Sequence, residues 1–182
     1  NDDYLNYLKN SLEEIPAEYH PKYDFSKDEY NEFIESIYFE EKNSPDYKGK
    51  SKPQILESLR KKYYAERAFN ILRNQKDGFT NLDRSHQQVG SARIEPMDLY
   101  KDGIMYTVKI GSSSSKLCYA VDQSLQTMKL YKYNMLTNAP KIDTVCIWIV
   151  LENKEHIEDA NGKPNINLLD MLTFKNKLDS WK

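Results

Sequence analysis

The run Val145–Leu151 (VCIWIVL) constrains this chain most, because it carries no charged side chain in a sequence whose mean hydropathy is −0.80. It is far too short to cross a bilayer, which takes about 20 apolar residues in a helix. Its β-branched and aromatic content predicts a strand, and apolarity that is continuous rather than alternating predicts a central strand buried on both faces. Such a sheet needs helices to cover it, and apolar residues at helical spacing elsewhere supply them. The fold class expected is therefore α/β, or α+β, in one domain of ordinary size for 182 residues. The 14 tyrosines contribute large rings that bury area while keeping a polar tip.

Tyr4, Leu5, Leu8 and Leu12 predict a helix over 2–15, limited by Pro16 and Pro21. Ser26 followed by Glu29 reads as a helix start, with Tyr30, Phe33, Ile34 and Ile37 as its apolar stripe. Residues 42–52 are a charged loop punctuated by proline and glycine, separating a helical N-terminal extension (1–45) from a mixed α/β core (53–182). The core opens on one long helix from Pro53 through Leu72. Asp77-Gly78 turns into a strand over 79–83, and a second strand is expected over 93–99, with Pro96 marking an edge or bulge. Lys101-Asp102-Gly103 is the turn of a hairpin whose other arm is 104–110. Gly111 and four serines lead into a helix over 115–133, and Gly162-Lys163-Pro164 precedes a last helix over 167–181. The chain opens on Asn1-Asp2-Asp3 rather than an initiator methionine, which fits a fragment with a missing upstream domain.

Cys118 and Cys146 lack the spacing of a zinc site and read as buried free thiols, and His20, His86 and His156 form no local ligand cluster. No Ser-His-Asp or Walker pattern is present, and Asp159-Ala160-Asn161-Gly162 reads as a surface turn rather than a calcium loop. With no membrane span or signal peptide, the chain reads as cytoplasmic. The net charge of −2 conceals an uneven distribution: 13 acids against 6 bases over 1–50, but 7 bases against 3 acids over 51–77 and 5 against 1 over 103–141. The basic segments suit a polyanion such as DNA, and the acidic front suits a protein partner; both also fit ordinary solvated faces.

The order helix, three strands, helix, strand, helix from residue 53 resembles the restriction-endonuclease-like fold of the PD-(D/E)xK nuclease superfamily. The text that carries the resemblance is Glu95-Pro96-Met97-Asp98 and Thr107-Val108-Lys109. The resemblance implies catalytic roles for Asp98 and Lys109, and magnesium or manganese held by Asp98 with Glu66 or Glu95; Asp83, at the exit of the first strand, is a further carboxylate. Thr107 stands where that family places an acid. In a regular strand Glu95 and Asp98 would fall on opposite faces. Glu66 fits the glutamate that some members take from the first core helix.

Leu82-Asp83-Arg84, Ile94–Tyr100, Val108-Lys109, Ser113-Ser114 and Gln123 also resemble a sporadically distributed, uncharacterised prokaryotic family associated with mobile elements. Met97 and Thr107 replace its cysteine and histidine. The resemblance groups Glu95, Asp98, Lys109 and the serine loop into one site. Ser113, Ser114 and Lys116 at a helix start, with Lys109 beside them, can take a phosphate or merely cap the helix. Gln123 and Lys129 would extend that surface to nucleic acid. The expectation is a DNA-associated domain, either a metal-dependent nuclease or a non-cleaving descendant. The alternative is a structural or protein-interaction domain of a larger mobile-element or defence protein.

Overall fold

A computed structural model describes residues 1–111, 113–150 and 157–182. Its six α-helices are α1 (Asp2–Glu13), α2 (Lys27–Glu41), α3 (Lys52–Lys62), α4 (Ala65–Asp77), α5 (Ser114–Lys132) and α6 (Leu172–Trp181). The strands are β1 (Thr80–Asn81), β2 (Gln87–Val89), β3 (Ala92–Ile94), β4 (Leu99–Lys101), β5 (Ile104–Ile110) and β6 (Thr144–Val150). A mixed four-stranded sheet runs β1-β4-β5-β6, antiparallel except for the parallel β5/β6 pair, and β2/β3 form a separate small hairpin. The architecture is mixed α/β, with helices on both faces of the sheet.

Several elements start and stop where local chemistry dictates. Ser26 Oγ accepts the Glu29 N–H at 3.1 Å, the expected cap of α2. Asp102 (φ +49) and Gly103 (φ +82) make the tight turn joining β4 to β5. The Asp159 turn is also present, its Oδ1 accepting from the Asn161 and Lys163 N–H groups.

Three elements differ from expectation. The long helix after Pro53 is two, broken at Tyr63-Tyr64. Tyr30 Oη donates to the Tyr63 carbonyl at 2.8 Å and Arg67 Nη1 to the Lys62 carbonyl at 2.6 Å, so side chains take acceptors that a continuing helix would use. The strand expected over 93–99 divides into β3 and β4, with Glu95–Asp98 arching between them. Pro96 has no N–H to give a ladder; Gln123 Nε2 donates to the Glu95 carbonyl at 3.2 Å and Thr127 Oγ1 to the Pro96 carbonyl. Thus α5 holds the front of the arch, while the Asp98 N–H donates to the Tyr106 carbonyl of β5 at 3.0 Å. β6, expected at the centre of the sheet, occupies its edge among the described residues, and Val145–Ile149 are only half-buried. Leu151 lies outside the described residues, as does Ser112 of the serine loop.

β6 nonetheless packs on both faces, which explains its continuous apolarity. Trp148 meets Tyr23, Phe69, Phe79 and Tyr106 at ring-centroid distances of 5.0, 5.2, 5.4 and 5.4 Å. Ile147 and Ile149 face the other way, onto a cluster formed by Leu8, Leu117, Val121 and Phe174. Among the described residues, no helix is long and apolar enough to cross a membrane.

Candidate metal-binding and nucleic-acid site

The arch between β3 and β4 places Glu95 and Asp98 together, although a regular strand would have separated them. The loop after β1 folds over the arch: the Leu82 N–H donates to the Asp98 carbonyl at 2.9 Å. Arg84, in a left-handed conformation (φ +65), directs its backbone N–H at Glu95 Oε1, 2.8 Å away. That wrapping brings in Asp83. One carboxylate oxygen from each of Asp83, Glu95 and Asp98 lies within 4.8 Å of the others, the two outer acids half-buried and Asp98 buried.

Asp98 is fixed to β5 through Oδ2, which accepts the Val108 N–H at 2.7 Å. Desolvation pushes its pKa up to about 7, against the Val108 hydrogen bond and the Lys109 charge, with Glu66 and Asp83 adding repulsion. Asp83 is raised to about 6, first by burial and then by Glu95, with which it shares a hydrogen bond. Two carboxyls that resist ionisation beside a third form a set of hard oxygen donors that a divalent cation would relieve, and their span fits the ligand shell of one such ion. Asp83, Glu95 and Asp98 are thus geometrically capable of holding a divalent metal ion.

Lys109, on β5, reaches Glu66 in the first turn of α4, with Nζ 2.9 Å from Oε1. Burial works against the ammonium, yet the Glu66 ion pair and then Asp98 outweigh it and raise its pKa. Lys109 is therefore a fixed cation. Glu66, which the sequence suggested as a metal ligand, is this cation's partner; the place in the acid cluster goes to Asp83. Thr107 is fully buried on the same side of β5 as Lys109, and among the described residues its Oγ1 has no hydrogen-bond partner.

The remaining candidates divide. Ser113 caps α5, its Oγ accepting the Lys116 N–H at 3.4 Å, while the Ser114 hydroxyl sits 3.9 Å from Cys118 Sγ. Lys116 is exposed and lines the same cleft as Lys109. Gln123 is buried behind the arch, with its amide committed to Glu95. Lys129 is exposed near the far end of α5, about 20 Å along the helix from Lys116. The acidic front is partly neutralised within the fold, because Glu29, Glu35 and Glu41 pair with Arg73, Lys52 and Lys62.

Sequence reasoning gave Asp83 only secondary weight. Its one local signal is the Leu82-Asp83-Arg84 text at the exit of a short strand. Cys118 and Cys146 are free as expected, but both are half-buried rather than buried; desolvation still raises the Cys146 thiol to about 11, which disfavours the thiolate. Comparison of the chain with family models, with curated proteins and with solved structures gives no match.

Proposed function

We propose that this chain is a nucleic-acid-associated domain on a restriction-endonuclease-like scaffold, with a divalent-cation phosphodiesterase centre at Asp83, Glu95 and Asp98. The observation that carries the reading is the convergence of those carboxylate oxygens within 4.8 Å, beside the β5 strand that bears Lys109. The sheet supports the scaffold: a meander β1-β4-β5, then a helical crossover to a parallel β6. Glu66 on the preceding helix, Asp98 before β4 and Lys109 late in β5 follow one another in the order that the resemblance would expect, which supports the reading.

A bound magnesium or manganese ion would polarise a phosphate oxygen and lower the pKa of a water. The protein's own groups do the positioning. The Val108 N–H fixes Asp98, the Arg84 N–H fixes Glu95, and Glu66 restrains the Lys109 ammonium. Lys109 keeps its proton, so it serves as an electrostatic partner for a phosphate oxygen rather than as a base.

The test is calorimetric titration with manganese alongside cleavage assays on labelled DNA and RNA. The wild type is expected to bind the ion and cut only in its presence; Asp98→Asn loses both, and Lys109→Ala loses cutting while retaining the ion. No heat of binding and no cleavage would remove the reading. A neutral hydroxyl at Thr107, where the resemblance places an acid, favours a second outcome: metal and strand binding without cleavage.

A further inference from the structure

Beside the acid cluster lies a cleft that shares Lys109 and Glu66 with the proposed phosphodiesterase centre but is otherwise lined by residues that centre does not use. It lies between the first turns of α4 and α5, encloses about 490 Å³, and is lined by Tyr64, Glu66, Lys109, Ser115, Lys116 and Tyr119. That volume falls within the range of small-molecule sites, about 300–1,000 Å³. Two features distinguish its lining. Tyr64, just before α4, and Tyr119, on α5, are 42% and 59% exposed, so neither ring is needed to fill the core. Lys109 and Lys116 add two cations, and the Lys109 ammonium lies 5.3 Å from the Tyr119 ring centroid.

Glu66 and Lys109 line this cleft, and both lie within electrostatic reach of Asp98. Tyr64 lies within electrostatic reach of Asp83, Arg84 and Glu66. Aromatic rings beside cations suit a planar base joined to a phosphate, because a base stacks on a ring while its phosphate meets an ammonium. A paired base inside a duplex has both faces already stacked and cannot enter a cleft between helix ends.

We infer that this cleft receives one unstacked nucleotide of a single strand, seated against Tyr64 and Tyr119 with its phosphate toward Lys109 and Lys116. The inference rests on the nucleic-acid reading above and narrows its substrate to single-stranded or frayed nucleic acid.

The test measures binding of a labelled oligothymidylate, and of a blunt duplex of the same length, by fluorescence anisotropy in EDTA. The proteins are the wild-type chain, Tyr64→Ala, Tyr119→Ala and Tyr119→Phe, each checked for an unchanged melting temperature. The wild type is expected to prefer the single strand, and each alanine variant to lose about tenfold in single-strand affinity, the usual scale of one base–aromatic stack. Tyr119→Phe retains wild-type affinity because the ring remains. Equal affinity for strand and duplex, or alanine variants that bind like wild type, would overturn the cleft assignment. Tyrosine-dependent strand binding by a protein that never cleaves with magnesium or manganese supports the cleft and removes the nuclease reading. Metal-dependent cleavage with unaltered binding in both alanine variants does the reverse.

Discussion

The Lys109 ammonium sits 2.9 Å from Glu66 Oε1, and this contact ties β5 to the first turn of α4 across the edge of the acid cluster. Both side chains are largely covered, at 13% and 21% exposure, and Glu66 Oε2 also accepts the Ile110 N–H at 3.4 Å. Removing either charge leaves the other partly buried and unpaired.

Lys109→Met and Glu66→Gln are each expected to destabilise the fold by about 1–3 kcal/mol. The double variant should lose less than the sum, because neither charge is then stranded. Urea denaturation of the four proteins measures the coupling. Strictly additive losses would mean that the pair contributes no specific interaction.

Stability should also depend on pH in a metal-free buffer. Asp98 is raised from 3.8 to about 7 and Asp83 from 3.8 to about 6, so the folded state holds these protons more tightly than the unfolded chain does. For an acid shifted upward, the folded state is favoured below the unfolded pKa and loses stability as pH rises from about 4 to about 7, by at most about 4 kcal/mol for Asp98. Melting temperatures should therefore fall from pH 5 to pH 8. Asp98→Asn should flatten the slope while its amide oxygen still accepts from Val108, and manganese should raise the melting temperature more at pH 8 than at pH 5. A pH-independent melting temperature would show that Asp98 ionises normally.

What was legible in the sequence was what neighbours in the chain decide. Ser26 with Glu29, the Asp102-Gly103 turn and the apolar run at Val145 each carry their own local chemistry, and each marks an element. The helix break at Tyr63 was hidden because Tyr30, from α2, takes the carbonyl. The arch at Glu95–Asp98 was hidden because Gln123 and Thr127, which take its carbonyls, lie on α5. For the same reason the sequence could nominate Asp98 and Lys109 but favoured Glu66 over Asp83 as a further acid, whereas the tertiary fold pairs Glu66 with Lys109 and brings Asp83 to the acid cluster.

Gly103 is the hairpin position with the least tolerance. Its φ is +82, and an added Cβ would meet Asp143 Oδ2 at 2.7 Å. Gly103→Ala is expected to cost about 1–2 kcal/mol from the left-handed backbone alone. Thermal denaturation checks this, and a neutral substitution would mean that the turn relaxes freely.

Trp148 is the joint of the aromatic cluster between the sheet and α4. Trp148→Ala should cost about 3–5 kcal/mol and abolish much of the near-ultraviolet circular dichroism. A loss below 1 kcal/mol would mean that the four surrounding rings close over the gap.

The carbonyl of Gly103 accepts the backbone N–H groups of both Asp143 and Thr144, so β6 begins its pairing at the turn that ends β4. β4 and β5 can zip from that turn at once, whereas β6 must return across the whole α5 crossover before its first bond forms. Closing so long a loop costs entropy before any contact repays it. Assembly of this protein is therefore ordered in time: in pulsed hydrogen exchange during refolding, amides of the β4–β5 hairpin should gain protection before those of β6.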